Sequence, residues 1–378
     1  MPDTPEEPTV RITAPSRSSG SDDESYLRSG SPIQTPEYIV VVPVTDALLE
    51  RPGINVRQFL RTAVALAADN DGRVLLVGIE TVAGEAVLDT VREHVQTAQP
   101  TDGENTAVEN IKQRQTQLAE MANVAQELDP DVSVNAVVRA VTDSTRRILD
   151  IVDGNNETVV LLLRGTGLDE GWLLNRSTID ALLAESECDV FVENMGTHGG
   201  ENALYVPDVE EHTVASLAKS ESESIESILL PVGTGPHAAL AAEAARAVAR
   251  ASGASITVLH VISPTASAET RADGEDLLKF AAYILGSEVA VETELKEASD
   301  TTDTIVQEAK TYDFVSIGFP EQKSRLKQLV FGSVQETLSE LRGTTVLMSR
   351  DSNRTMRSLY YRWKRGITST EDDGDSRN

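Results

Sequence analysis

Apolar positions in this sequence gather into short runs, and the stretches between them carry helical spacing. YIVVVPV (38–44) is a continuous apolar run of the kind that forms a buried parallel strand. A helical stretch, VRQFLRTAVALAADN, separates it from a second run, VLLVGI (74–79). A long polar helical region leads to VSVNAVV (132–138), a short helix and the strand TVVLLL (158–163). A Gly-containing loop, a helix from Ser177 and the strand CDVFVE (188–193) follow. The pattern then starts again with SILLPV (227–232), HAALAAEAARAVARAS and SITVLHVI (255–262). A helix over 270–285, EVAVETEL (288–295), a short helix, DFVSIGF (313–319), a helix from Ser333 and TTVLMS (344–349) complete it.

Each copy reads β-α-β-α-β-α-β-α-β. Such alternation predicts an α/β fold made of two tandem, doubly wound, parallel five-stranded sheets. Finding the same order twice strengthens both readings. The predicted organisation is a disordered tail over 1–35, a first domain over 36–195, a linker over 196–224 and a second domain over 225–350. A basic amphipathic segment and an acidic disordered tail fill 351–378. The tails and linker are rich in Ser, Thr, Pro, Gly and acidic residues, and too poor in apolar periodicity to build a core.

Composition sharpens the picture. The chain has 61 acidic and 33 basic residues in 378, a formal net charge of −28. Acidic residues recur along its whole length, and only eight of the basic residues are Lys. That balance excludes a general nucleic-acid binder, which needs a basic face for the phosphate backbone. A surface so acidic and Lys-poor matches a salt-adapted cytosol. The single Cys188 excludes an intramolecular disulfide and a multi-cysteine metal site, and the five His show no metal-ligand spacing. No run reaches the roughly 20 apolar residues of a membrane span. The acidic start MPDTPEEPTV lacks the apolar core of a secretory signal, so the expected location is cytoplasmic.

In open α/β sheets, ligands sit beyond the carboxyl ends of the strands, where strand order reverses. Gly233, Gly235 and Ala238 form G-x-G-x-x-A after a strand, yet the next strand ends in Ser263-Pro264, without the acidic residue a dinucleotide ribose needs. A tight turn with Pro236 opening the helix explains that loop. Gly165, Gly167 and Gly171 form another loop, but Asp169 and Glu170 inside it repel anions. After DFVSIGF, the cations Lys323, Arg325 and Lys327 and the pair Gly332-Ser333 at a helix start suit an anion. Ser333 to Glu336 is also a capping box, and Ser177 to Asp180 repeats a capping pattern, so capping and phosphate binding both stand there. No Ser, Cys or Lys sits in a nucleophile motif, so the expectation is a non-enzyme.

The duplicated order, VVVPV and ILLPV as first strands, VLHV as the second, and a strand–Gly-loop–Gly-Ser–helix near each copy's end resemble tandem universal stress proteins. The second copy resembles them more closely, through PVGTGPHAALAAEAARAVARASGASITVLHV and LVFGSVQETL. The resemblance implies the adenine-nucleotide alpha-hydrolase-like fold and a stress-response or regulatory role. Nucleotide-binding relatives carry G-x-x-G, a loop, then Gly-Ser or Gly-Thr, with an adenine-contacting Asp after the first strand. Here Gly318 matches the first Gly, Glu321 replaces the second, and Gly332, Ser333 and Val334 match the end. Gly233 and Thr45 stand at the two Asp positions, and Arg176-Ser177 replaces Gly-Ser in the first copy. The resemblance therefore implies a degenerate first copy and at most a weak ATP or phosphate site in the second. That site would comprise Val232, Gly233, Val261, Gly318, Lys323, Arg325, Gly332, Ser333 and Val334.

RDSNRTMRSLYYRWKRG (350–366) is a local exception to the acidity, with six basic residues and one acidic. Met356, Leu359, Tyr360 and Trp363 fall on one helical face, fit either for a membrane surface or partner or for packing on the protein itself. Expected partners are the protein itself, as an internal pseudo-dimer through Val190–Val192 and Thr345–Met348 or as a homodimer, and alternatively a membrane transporter that it regulates.

Overall fold

The computed structural model describes residues 10–13, 38–45, 48, 56–97, 106–152, 158–164, 166, 168, 177–195, 224–235, 237–319 and 344–352. These divide into two compact units, one reaching Val190 and one taking 191–195 and the chain from 224 onward.

The first unit contains β1 (Val10–Thr13), β2 (Ile39–Val44), α1 (Val56–Ala68), β3 (Arg73–Thr81), α2 (Glu85–Thr97), α3 (Thr106–Leu128), β4 (Ser133–Val141), α4 (Ser144–Val152), β5 (Thr158–Leu163) and α5 (Thr178–Glu185), and leads into β6 (Asp189–Asn194). Its strand order is β1-β4-β3-β2-β5. The β1/β4, β4/β3, β3/β2 and β2/β5 pairs are all parallel. β2 and β5 are buried along their whole length, which is why both read as unbroken apolar runs. Right-handed crossovers put α1 and α3 on one face, where they pack together, and α4 and α5 on the other. β1 lies within the stretch expected as a tail. Val10–Thr13 pairs with β4, with Val10 opposite Ala136, and becomes an additional edge strand. The rest of 1–35, most of the linker and 353–378 lie outside the described residues.

The second unit contains β7 (Ser227–Pro231), α6 (Ala238–Ser252), β8 (Ser255–Ile262), α7 (Ala268–Leu285), β9 (Val291–Glu297), α8 (Thr301–Ala309), β10 (Phe314–Gly318) and β11 (Thr345–Arg350). Its order is β11-β10-β7-β8-β9, parallel throughout. α6 is rich in Ala along its buried face, so it lies close on the sheet, and Ser316 Oγ on β10 donates to the Ala241 carbonyl at 2.7 Å. Gly253 ends α6 at φ 76°, a left-handed conformation that costs glycine little. At the opposite edge of the sheet the Asp313 carboxylate accepts from the Glu226 and Ser227 backbone amides and from Ser227 Oγ, tying the starts of β7 and β10.

The Ser177 reading as a helix cap fits the geometry. Its Oγ accepts from the Asp180 amide at 3.0 Å, in extended backbone geometry before α5. Ser177→Ala is expected to lower stability by about 1 kcal/mol, read as a lower urea midpoint at unchanged slope. Cys188 is buried and forms no disulfide. Among the described residues no helix is long and apolar enough to cross a membrane, and no cluster of His, Cys, Asp and Glu could hold a metal.

Candidate functional site

In the second unit the strand order reverses between β7 and β10. The crossovers from β7 to β8 and from β8 to β9 run one way, and the one from β9 to β10 runs back. A crevice therefore opens above the carboxyl ends of β7 and β10, where ligands of open α/β sheets bind. Val232 and Gly233 lie at the end of β7, between the end of β8, which carries Val261, and the end of β10, which carries Gly318. These four of the nine expected site residues share one edge. Lys323, Arg325, Gly332, Ser333 and Val334, with the capping box that starts at Ser333, lie outside the described residues.

The edge is held by a small set of polar contacts. The Val232 amide donates to the Leu259 carbonyl at 2.9 Å, extending the ladder one residue past β7. His260 Nδ1 lies 2.8 Å from the Val232 carbonyl. A carbonyl only accepts, so Nδ1 carries the proton and Nε2 faces Gly274 of α7. A Cβ on Gly274 would come within 2.8 Å of the His260 ring, which explains a glycine inside that helix. His260 is thus a half-buried structural histidine that orients the β7 loop. Gly233 and Gly235 face open space, so neither is required by crowding.

Gly318 is required by crowding. A Cβ there would sit 2.9 Å from the carbonyl carbon and oxygen of His237, and 3.1 Å from the Ala238 nitrogen. Only glycine lets the end of β10 press against the first turn of α6. His237 then connects the neighbouring pieces. Its Nδ1 accepts from the Asp351 amide at 3.0 Å, which puts the ring proton on Nε2, and its ring meets Phe319 edge-on at 6.4 Å. His237 opens α6 without a side-chain capping bond of its own, because its ring is turned to the end of β11. Asp351, its partner from the far end of the domain, has no signal in the sequence that would link it to His237. Pro236 lies outside the described residues.

Beside this edge, α6 and α7 enclose a cleft of about 400 Å³, open to solvent. Val232, Thr234, Ala238, Leu277, Phe280 and Ile284 contribute to its wall, which is mainly apolar.

In the first unit, the corresponding carboxyl edge carries a buried ion pair that sequence reasoning missed. Arg114 of α3 reaches Glu80 of β3 at 3.6 Å, both nearly fully buried, and Asn110 Nδ2 donates to the other Glu80 oxygen at 3.2 Å. The stem of Arg114 crosses Gly78, where a Cβ would meet it at 3.0 Å. Burial lowers the Arg114 guanidinium to about 10, so it stays a cation at neutral pH. The available signal was the glycine inside VLLVGI, since an isolated glycine in a strand marks a close approach. Thr45, at the end of β2, donates its hydroxyl to the Thr166 carbonyl at 2.7 Å.

Residues 224–350 match the universal stress protein family. Compared with curated protein sequences, the chain matches none. Among solved structures, the cytoplasmic domain of a prokaryotic cation chloride cotransporter aligns with a TM-score of 0.50 at 14% identity, covering 85% of this chain and 99% of its own. A universal stress protein from Archaeoglobus fulgidus DSM 4304 aligns with a TM-score of 0.48 at 12% identity, covering 83% and 97%. A universal stress protein solved with cAMP covers 33% of this chain and 97% of its own, at 18% identity and a TM-score of 0.28. The fold is α/β with parallel strands in both units, and the universal stress protein match covers the second of them.

Proposed function

We propose that this chain is a tandem universal stress protein, a non-enzymatic stress-response or regulatory module with a weak ATP or phosphate site in its second unit. The family match over 224–350, the stretch that holds the β7–β10 crevice, carries this reading. The site residues are Val232, Gly233, Val261, Gly318, Lys323, Arg325, Gly332, Ser333 and Val334. Gly233 offers no carboxylate to adenine, and Glu321 puts a negative charge where relatives present a bare backbone, so the affinity is low. The first unit has Thr45 at the equivalent of Gly233, and it binds no nucleotide. The surface acidity suits a salt-rich cytoplasm, where the protein resides.

Titration calorimetry of the intact chain with ATP tests the site, with a dissociation constant on the order of millimolar expected. Gly233 has open space for a side chain. Gly233→Asp therefore adds an adenine-contacting carboxylate without a clash, and is expected to tighten ATP binding about tenfold, the worth of one charge-assisted hydrogen bond. Absence of heat from both proteins removes the site, and sustained release of phosphate removes the non-enzymatic reading.

A second reading makes the chain a cytosolic regulatory partner of a membrane transporter. The alignment to the cotransporter's cytoplasmic domain, which spans most of both chains, favours it. Recovery of the protein in the membrane fraction of its native cells, released by carbonate washing, distinguishes the two readings.

A further inference from the structure

We propose that His237 and the Asp351 backbone form an acid-sensitive clasp in the second unit: the neutral imidazole holds the end of β11 to the start of α6, and protonation of the ring breaks that bond.

Two histidines stand at the carboxyl edge of this unit, and their rings make opposite use of Nδ1. His260 Nδ1 lies 2.8 Å from the Val232 carbonyl. A carbonyl only accepts, so this nitrogen carries a proton in the neutral ring and in the imidazolium alike, and acid leaves the contact intact. His237 Nδ1 lies 3.0 Å from the Asp351 amide nitrogen. A backbone amide only donates, so this nitrogen offers its lone pair. The next proton the ring takes up goes to that lone pair, which removes the acceptor and turns one N–H toward another. The charge of a histidine ordinarily changes between about pH 5 and 8, so mild acid reaches this contact.

The sign follows from linkage. The broken state binds one proton more than the clasped state, so the clasp contributes at neutral pH and is lost as the pH falls. Charged neighbours modulate the change. α6 places no acidic residue in its first turn, and the positive end of its dipole disfavours an imidazolium. From the end of β10 the ring meets Phe319, edge-on and uncharged. From the end of β11 comes the Asp351 carboxylate, buried at 6% exposure, which favours the charged ring. Arg350 alternates to the opposite face of the strand.

The position of the clasp gives its loss a consequence. The Phe319 amide donates to the Ser349 carbonyl at 2.7 Å, so β10 and β11 stay paired up to that point. Asp351 lies two residues beyond. The backbone of His237 is also the surface that a Cβ on Gly318 would strike at 2.9 Å. Breaking the bond therefore loosens the end of β11 and the first turn of α6 together, beside the crevice, while the sheet below keeps its ladder. The clasp needs no ligand in that crevice.

Amide hydrogen exchange of the intact chain, corrected for the intrinsic pH dependence of exchange, tests this between about pH 7.5 and pH 5. Protection at Asp351 is expected to fall about fivefold on acidification, the worth of one hydrogen bond, while Ala245 in the interior of α6 keeps its protection. His237→Asn has no titrating ring and should show no step at Asp351. His260→Gln should keep the step of the parent. Asp351→Asn, which removes the carboxylate but not the amide, should move the step to lower pH. Equal protection of Asp351 at both pH values in the parent overturns the proposal, and so does a step that survives in His237→Asn. A fall that Ala245 shares is opening of the whole unit and overturns it as well.

Discussion

Glu80→Ala is expected to destabilise the first unit more than any surface substitution. Removing one partner of a buried ion pair costs about 3–5 kcal/mol. At about 2–4 °C per kcal/mol for a domain of this size, the melting temperature should drop by about 10 °C. The loss has two parts. Arg114, still a cation at neutral pH, keeps its buried position without the carboxylate 3.6 Å away. Asn110 loses the oxygen that its amide donates to. Glu80→Gln keeps the shape and the Asn110 contact and should fall between the parent and Glu80→Ala. The paired change Glu80→Leu with Arg114→Met removes both charges at similar volume and should recover most of the stability. A calorimetric scan of the four proteins decides the matter. A Glu80→Ala transition within a degree of the parent would mean that the pair contributes nothing.

Gly318→Ala is the second large effect, and it acts through backbone rather than charge. The added methyl would come within 2.9 Å of the His237 carbonyl, and α6 begins at that point, so the first turn of the helix must retreat. Overpacking of this kind costs about 1–3 kcal/mol. The displacement also pulls on the His237 contact to the Asp351 amide. Amide hydrogen exchange should therefore rise at Asp351 and in the first turn of α6, while the interior of α6 stays protected. Unchanged exchange at Asp351 would show that His237 follows its helix without cost.

These two sites differ in how far the sequence foretold them. The parallel, doubly wound architecture was legible because burial on both faces leaves apolar runs that need no partner to be recognised. Thr158–Leu163 and Ser255–Ile262 are strands over the ranges read from their composition. β9 was read at 288–295 and lies at Val291–Glu297, shifted because an edge strand with exposed Glu292 and Glu294 carries a weaker apolar signal. β1 was missed for a related reason. VRIT is four residues in a polar context, and only the free edge of β4 makes it a strand. Gly318 was legible as a motif position, although the cause of its smallness, the close pass of His237, was not. Glu80 and Arg114 were invisible as a pair because they meet across a strand and a helix with no fixed spacing between them.

β1 has a consequence for how the chain reaches its final form. The strand is made before the other described elements of this unit, yet its partner strand is not complete until Val141 has emerged. Contacts that close such long stretches of chain are slow to form. Val10–Thr13 must therefore wait, unpaired, through the synthesis of more than a hundred residues, until β4 offers its outer edge. During that interval VRIT is an unpaired strand, the kind of surface through which nascent chains pair with the wrong neighbour. The abundant acidic residues on either side of VRIT keep neighbouring chains apart by charge repulsion until the edge is closed.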